Sequence, residues 1–264
     1  MHYLILALVS LAVTAIGFRY YIHFFSVGYG FAISAISLTL FILFLPILTL
    51  PNVIMVLLLF VYGIRLGGYL LYREHKAPAY NKRVGGEIKD GKSMSIGAKI
   101  AMWLSCAVLY LLMTSPLLFR FELGPLVSWG VAAIIGIVLM AIGILLEVFA
   151  DLQKTTAKKK TPGRFVDTGL YRIVRCPNYL GEILLWTGVF VCGCPVMHGW
   201  QWIVAALGLL LIYYVMFSGA RRLEIRQNKS YGNDPEYQKY IKKVPIILPL
   251  IPLYSVEKFK FLVA

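Results

Sequence analysis

The strongest constraint on this chain is a series of long, almost uncharged apolar runs. On the scale of a membrane crossing, roughly 20 mostly apolar residues, the candidates are Tyr3–Phe18, Tyr29–Leu48, Asn52–Tyr72, Ala98–Leu118, Pro125–Ala150, Tyr179–Cys194 and Trp200–Ser218. The sixth is the shortest for a span. Of the 264 residues 59% are hydrophobic and 14% charged, against about 45–50% and about a quarter in soluble domains. A soluble fold of this size could not cover so much apolar surface with so few charges, so lipid is the expected outer solvent. Met1–Phe18 has neither a basic n-region nor a small-residue cleavage site, so a span is expected there rather than a cleaved signal.

The charges between the runs orient them. Arg65 and Arg73 close the third run, and Lys76, Lys82, Arg83, Lys89, Lys92 and Lys99 follow. Lys154, Lys158, Lys159, Lys160, Arg164, Arg172 and Arg175 separate the fifth from the sixth, and Arg221, Arg222 and Arg226 follow the seventh. The alternate connections are nearly bare, Arg120 being the exception. By the positive-inside rule, seven spans with the N-terminus outside and the C-terminus inside put every basic segment on one face. The net charge of +14 thus reads as topology and lipid attraction rather than nucleic-acid binding. Cys106, Cys176, Cys192 and Cys194 and the four histidines are scattered, without the spacing of a metal site or a disulfide framework. Gly85-Gly86 and Pro162-Gly163 mark turns. With no internal repeat and no linker, the expectation is an all-α polytopic bundle forming one membrane domain over residues 1–264.

Three constellations carry chemistry. Tyr62, Arg65, Tyr69 and Arg73 fall at helical spacing on one face of the third run. An arginine inside a span must face protein or water; snorkelling and an aromatic belt explain Arg73 but not Arg65 and Tyr62. Glu147 and Asp151 lie one turn apart at the close of the fifth run. There two acids oppose both the helix dipole and the charge rule, which suggests groups that bind a ligand or pair with cations. The third is Asp167-Thr168-Gly169-Leu170-Tyr171-Arg172-Ile173-Val174-Arg175-Cys176-Pro177-Asn178-Tyr179-Leu180-Gly181-Glu182. Pro177 suits a first helical turn. Asn178 and Glu182 then share a face at a helix start flanked by Arg172 and Arg175, a good anion site. No GxGxxG, phosphate loop, GxSxG or HExxH is present.

Gly169-Leu170-Tyr171 through Asn178-Tyr179-Leu180-Gly181-Glu182, with Trp186 and Gly188 after it, resembles the signature of the steroid 5α-reductase superfamily, in particular its bacterial DUF1295-like branch. The upstream Glu147…Ala150-Asp151-Leu152-Gln153-Lys154 and the downstream Asp234-Pro235-Glu236-Tyr237 with Pro245 and Pro249 resemble the same branch, over a C-terminal region spanning residues 143–252. The resemblance implies NADPH bound from the cytoplasmic side of a bacterial inner membrane. It also implies reduction of a carbon–carbon double bond conjugated to a carbonyl, in a lipophilic substrate that enters from the bilayer. Carried across, Asn178, Tyr179 and Glu182 would hold the nicotinamide–ribose end, and Glu147 and Asp151 would take ribose or amide contacts. Arg164, Arg172 and Arg175 would meet the phosphates, with Lys158, Lys160 and Arg221 behind them. Tyr62 falls at the proton-donating tyrosine, and Tyr69, Arg73 and Lys76 would approach the cofactor. No Asp, Glu or Gln precedes Glu74, and Asn52 is the one early amide, which argues against a steroid substrate; Cys176 stands where the pattern has histidine. Two other readings compete: an S-adenosylmethionine-dependent membrane methyltransferase, whose paired glutamates are reduced here to Glu224, and a non-enzymatic transporter or scaffold, for which no inverted repeat speaks.

Overall fold

A computed structural model describes residues 1–76 and 94–263; Lys82, Gly85-Gly86, Arg83, Lys89 and Lys92 lie outside the described residues. These form helices and no strand: α1 (His2–Thr14), α2 (Val27–Phe44), α3 (Leu50–Lys76), α4 (Ile96–Glu122), α5 (Val131–Lys160), α6 (Pro177–Gly193), α7 (Trp200–Tyr231) and α8 (Pro235–Lys243). The fold is an all-α membrane bundle. A helix stands at each of the seven expected places, but five are long and apolar enough to cross a bilayer: Val27–Ile47, Leu50–Lys76, Ile96–Glu122, Val131–Lys160 and Trp200–Tyr231. The apolar helix His2–Phe18 is shorter. Helix α6 has 17 residues, about 26 Å at 1.5 Å per residue, under the roughly 30 Å of hydrocarbon.

Several helices outrun the apolar stretch that announced them. The third extends past Tyr72 to Lys76 and the seventh past Ser218 to Tyr231: the charged residues that follow are mostly good helix formers, and the one glycine among them, Gly219, does not stop α7. The fifth begins late, at Val131 after the left-handed Gly124 (φ +52) and a 3₁₀ turn over Gly124–Leu126. It then runs ten residues beyond Ala150. This corrects the expectation that Glu147 and Asp151 end a helix: they sit thirteen and nine residues before its last residue, Lys160, and the last turn carries Lys158, Lys159 and Lys160 as the dipole prefers. Pro177 does open α6, and Pro162-Gly163 does turn the chain.

The chain divides into two compact units: Met1–Ile137 with Val189–Leu209, and Val138–Gly188 with Leu210–Ala264. In the first, α2 and α3 cross on small residues. A Cβ on Gly30 would stand 2.5 Å from the Gly67 nitrogen, and one on Gly63 2.4 Å from the Gly30 oxygen. Ser34 and Ser37 donate across the seam to the carbonyls of Phe60 (2.9 Å) and Val56 (2.7 Å). Small residues and hydroxyls are how helices associate where water supplies no hydrophobic drive. Inside α4, Pro116 leaves the Leu112 carbonyl without its helical donor; the Ser115 hydroxyl fills the gap at 2.8 Å. Arg120 is not a loop cation at all. It is 1% exposed within α4 and donates to Asn52 Oδ1 (2.7 Å), the Ser128 carbonyl (2.6 Å) and the Cys192 carbonyl (3.2 Å). The exception in the charge pattern is a structural clamp.

In the second unit α5 and α6 cross at Gly143 and Gly181, where a Cβ on Gly143 would lie 2.5 Å from the Gly181 oxygen and 2.7 Å from the Leu185 nitrogen. Phe165, Tyr231, Tyr237 and Tyr240 form an aromatic cluster, Phe165 stacking on Tyr240 with centroids 5.4 Å apart. Tyr240 donates to the Tyr171 carbonyl, and Tyr171 in turn to that of Ala150.

Candidate functional site

The glycine crossing in the second unit sets the register of the acidic and amide residues. Gly143 faces Gly181 and Leu185, while the Glu147 Cγ lies 2.8 Å from where a Gly181 Cβ would stand. Advancing along α5 therefore means retreating along α6, and this antiparallel register brings Asp151 level with the first turn of α6. Glu147 is buried beside Gly181, one residue from Glu182. Glu182 accepts from Trp186 Nε1 at 3.1 Å, so part of its burial cost is met within the helix. The Tyr179 ring lies on α7, 3.2 Å from where a Cβ on Gly219 would be. Asn178 is half-buried, and its side chain makes no hydrogen bond among the described residues. Glu147, Asp151, Asn178, Tyr179 and Glu182 thus lie on adjoining turns of two helices.

The entry to α6 is pinned from outside. Arg175 and Cys176 donate their amides to the carbonyls of Pro245 and Ile246, both at 2.9 Å, and the Ile246 amide donates to Leu253. Cys176 is fully enclosed there and burial pushes its thiol up to about 12, so it is a neutral packing group and not a nucleophile.

The basic residues separate into engaged and available ones. Arg175 is 2% exposed and paired with Glu224, itself 2% exposed, at 2.8 Å; Glu224 also accepts the Val256 amide at 2.8 Å. Arg221 donates to the carbonyls of Glu257 and Leu262. Lys158 donates to the Arg164 carbonyl and to the Tyr231 hydroxyl. Arg164 forms a bidentate pair with Asp167 (3.0 and 2.9 Å) and a further bond to Glu236 (2.9 Å); these carboxylates raise its pKa still further. Arg172 and Lys160 are exposed, and no interaction engages them among the described residues.

Geometry also divides the predicted cofactor set. At 100° per residue Glu147, Asp151, Lys154 and Lys158 share one face of α5. A cavity of about 560 Å³ opens on the opposite face, between Gln153, Thr156, Ala157 and Lys160 and the loop carrying Arg164 and Asp167. Lys160 and Arg164 therefore belong to that cavity rather than to the acidic face.

In the first unit Tyr62 is fully buried and donates to the Tyr29 hydroxyl at 2.8 Å. Tyr29 in turn packs on Tyr110, centroids 5.0 Å apart. The Gly30–Gly63 contact is what draws these two hydroxyls together, one residue away on each helix. Arg65 and Arg73 both lie against the Tyr69 ring, at 5.5 and 5.7 Å from its centroid, a cation–π stack at the expected four-residue spacing. Near the close of α3, Glu74 accepts from His23 at 2.8 Å. Sequence reasoning gave no role to Tyr29 and did not pair Glu224 with Arg175. A tyrosine between two glycines in an apolar run carries no signal by itself, but an acid following the last span among arginines offers a partner for one of them.

Comparison with known families adds one finding. The model of a family described as a protein of unknown function, DUF1295, matches residues 21–244. No curated protein and no solved structure matches the chain.

Proposed function

The chain belongs to the DUF1295 family, and from that premise we propose that it is a membrane-embedded, NADPH-dependent reductase of a carbon–carbon double bond conjugated to a carbonyl in a lipid-like substrate. The observation that carries the reading is the junction of α5 and α6. There Glu147 and Asp151 lie level with the helix start bearing Asn178, Tyr179 and Glu182, and the segment leading into that helix carries an exposed Arg172. These groups fit a dinucleotide: carboxylates for ribose hydroxyls, an amide for the carboxamide, and a cation at a helix N-terminus for phosphate. When bound, NADPH supplies the hydride for the β-carbon. In this reading Tyr62 donates its hydroxyl hydrogen bond to the substrate carbonyl, in place of Tyr29, where negative charge builds as an enolate. The buried, apolar surroundings of Tyr62 strengthen that bond by excluding water. Seven crossings, counting α1 and α6, would place the N-terminus outside and the nucleotide-facing segments in the cytoplasm.

Thermal unfolding of the detergent-purified full chain tests the assignment. At 100 times its Kd, NADPH should stabilise the protein by about 2.7 kcal/mol, and Tyr62→Phe should keep that shift while turnover of an enone substrate is lost. A shift with S-adenosylmethionine and none with NADPH would replace the reductase by a methyltransferase.

A further inference from the structure

The segment that follows α8 turns back along α7. Asn228 Nδ2 donates to the Glu257 carboxylate at 2.7 Å, Arg221 to the carbonyls of Glu257 (2.9 Å) and Leu262 (3.0 Å), and the Tyr214 hydroxyl to the Phe261 carbonyl at 2.9 Å. From Asn228 to Tyr214 these partners descend about 21 Å of helix at 1.5 Å per residue. Tyr214 lies within the uncharged stretch Trp200–Ser218, below the arginines that follow it. Phe261 is therefore tied to a part of α7 that lies within its uncharged apolar stretch. There Phe261 is 70% exposed and Val263 65%, Phe259 is exposed as well, and Lys258 and Lys260 alternate with them.

We propose that Glu257–Val263 is a lipid-binding anchor in the membrane interface, with Phe259, Phe261 and Val263 among the acyl chains and Lys258 and Lys260 on anionic headgroups. Three observations favour lipid as the occupant. The segment lies against a helix whose neighbouring Leu207, Leu210 and Leu211 are also exposed, so its apolar side chains continue a lipid-facing surface. Its backbone is irregular, yet Arg221 and Tyr214 satisfy the carbonyls of Glu257, Phe261 and Leu262, which is what hydrocarbon requires of non-helical chain. Aromatic residues alternating with lysine match the chemistry of the interface, apolar below and anionic above. The anchor also bears on the site: the same return segment gives Glu224 the Val256 amide and Arg175 the Tyr254 carbonyl. The proposed anchor is thus continuous in sequence with residues bound to the ion pair at the entry to α6. The proposal does not depend on the reductase reading.

The test places a photoreactive residue, Phe261→p-benzoylphenylalanine, in the full chain reconstituted into nanodiscs of phosphatidylcholine, with or without phosphatidylglycerol. Illumination should yield adducts with the mass of a phospholipid. The yield should rise with phosphatidylglycerol by up to about fivefold per lysine, and Lys258→Glu with Lys260→Glu should abolish that rise. The same probe at Leu210 serves as a lipid-facing control. Crosslinks to protein alone at position 261, while Leu210 gives lipid adducts, would overturn the anchor. A yield indifferent to phosphatidylglycerol would overturn the role of the lysines.

Discussion

Arg175 stood in the sequence as a phosphate ligand and stands in the structure as half of a buried ion pair, and the two roles predict opposite mutant behaviour. Arg175→Met strips a 2% exposed carboxylate of its cation, and breaking such a pair costs about 3–5 kcal/mol. Glu224→Met leaves the guanidinium uncompensated and also orphans the Val256 amide, which adds about 1–3 kcal/mol. The double variant removes both charges, so only the Val256 amide and the Tyr254 carbonyl lose partners, and its cost should fall to about 1–3 kcal/mol. The coupling between the sites is thus expected to be several kcal/mol, a large part of a total stability of about 5–15 kcal/mol. The assay is thermal unfolding in detergent with a maleimide probe and peptide-resolved detection. Cys176 reports on this locus, since burial holds its thiol at about 12 and it reacts only when the entry to α6 opens. Cys106 and Cys192, buried in the other unit, report on the rest. Single variants that melt no earlier than wild type, or a double variant that costs the sum of the singles, would refute the structural role. Loss of NADPH stabilisation in a double variant of near-normal melting temperature would return Arg175 to the cofactor.

Two further variants probe the frame that holds the candidate site and the clamp in the first unit. Gly143→Ala forces a methyl against backbone at 2.5 and 2.7 Å, where no side chain can yield, so melts should show a loss of about 1–3 kcal/mol; Gly163→Ala, with open space around it, should be neutral. Arg120→Met deprives Asn52, Ser128 and Cys192 of a charged donor, each such bond being worth about 1.5–3 kcal/mol; Asn52→Ala should couple to it by about 0.5–3 kcal/mol in a double-mutant cycle.

How far the fold could be read from sequence depends on which physical force sets each boundary. Transfer to hydrocarbon depends on composition over some 20 residues, so each membrane-length run did become a helix. The limits of those helices follow local chain propensity instead, which is why α5 continues through Lys154–Lys160 and α7 through Arg221–Tyr231. That difference changed the meaning of Glu147 and Asp151. Read as a helix end, they opposed the dipole; read as interior residues on the face that meets α6, they need no dipole argument. Arg120 shows the reverse error, a helical residue taken for a loop because its charge outweighed its apolar neighbours.

The motif between Gly169 and Glu182 was legible because helical spacing is a local property: Asn178, Glu182 and Trp186 must fall on one face once Pro177 starts a helix. The fate of its cations was not, because a cation's role is decided by what lies within about 4 Å, and those partners come from distant sequence. Arg175 finds Glu224 forty-nine residues on, and Arg221 finds carbonyls up to forty-one residues on. The positive-inside rule counts both as topology signals, since it depends only on side-chain type near a span. Of the cations grouped for phosphate, burial or prior engagement claims Arg175, Arg221 and Lys158, and the face of α5 assigns Lys160 to a separate cavity with Arg164. That leaves Arg172 as the exposed guanidinium closest in sequence to the α6 start. If a dinucleotide binds there, Arg172→Ala should weaken NADPH more than NADH or leave both equally weakened, according to whether it meets the 2′-phosphate or the pyrophosphate. Unchanged affinity for both would take the last of the motif's arginines out of the cofactor site.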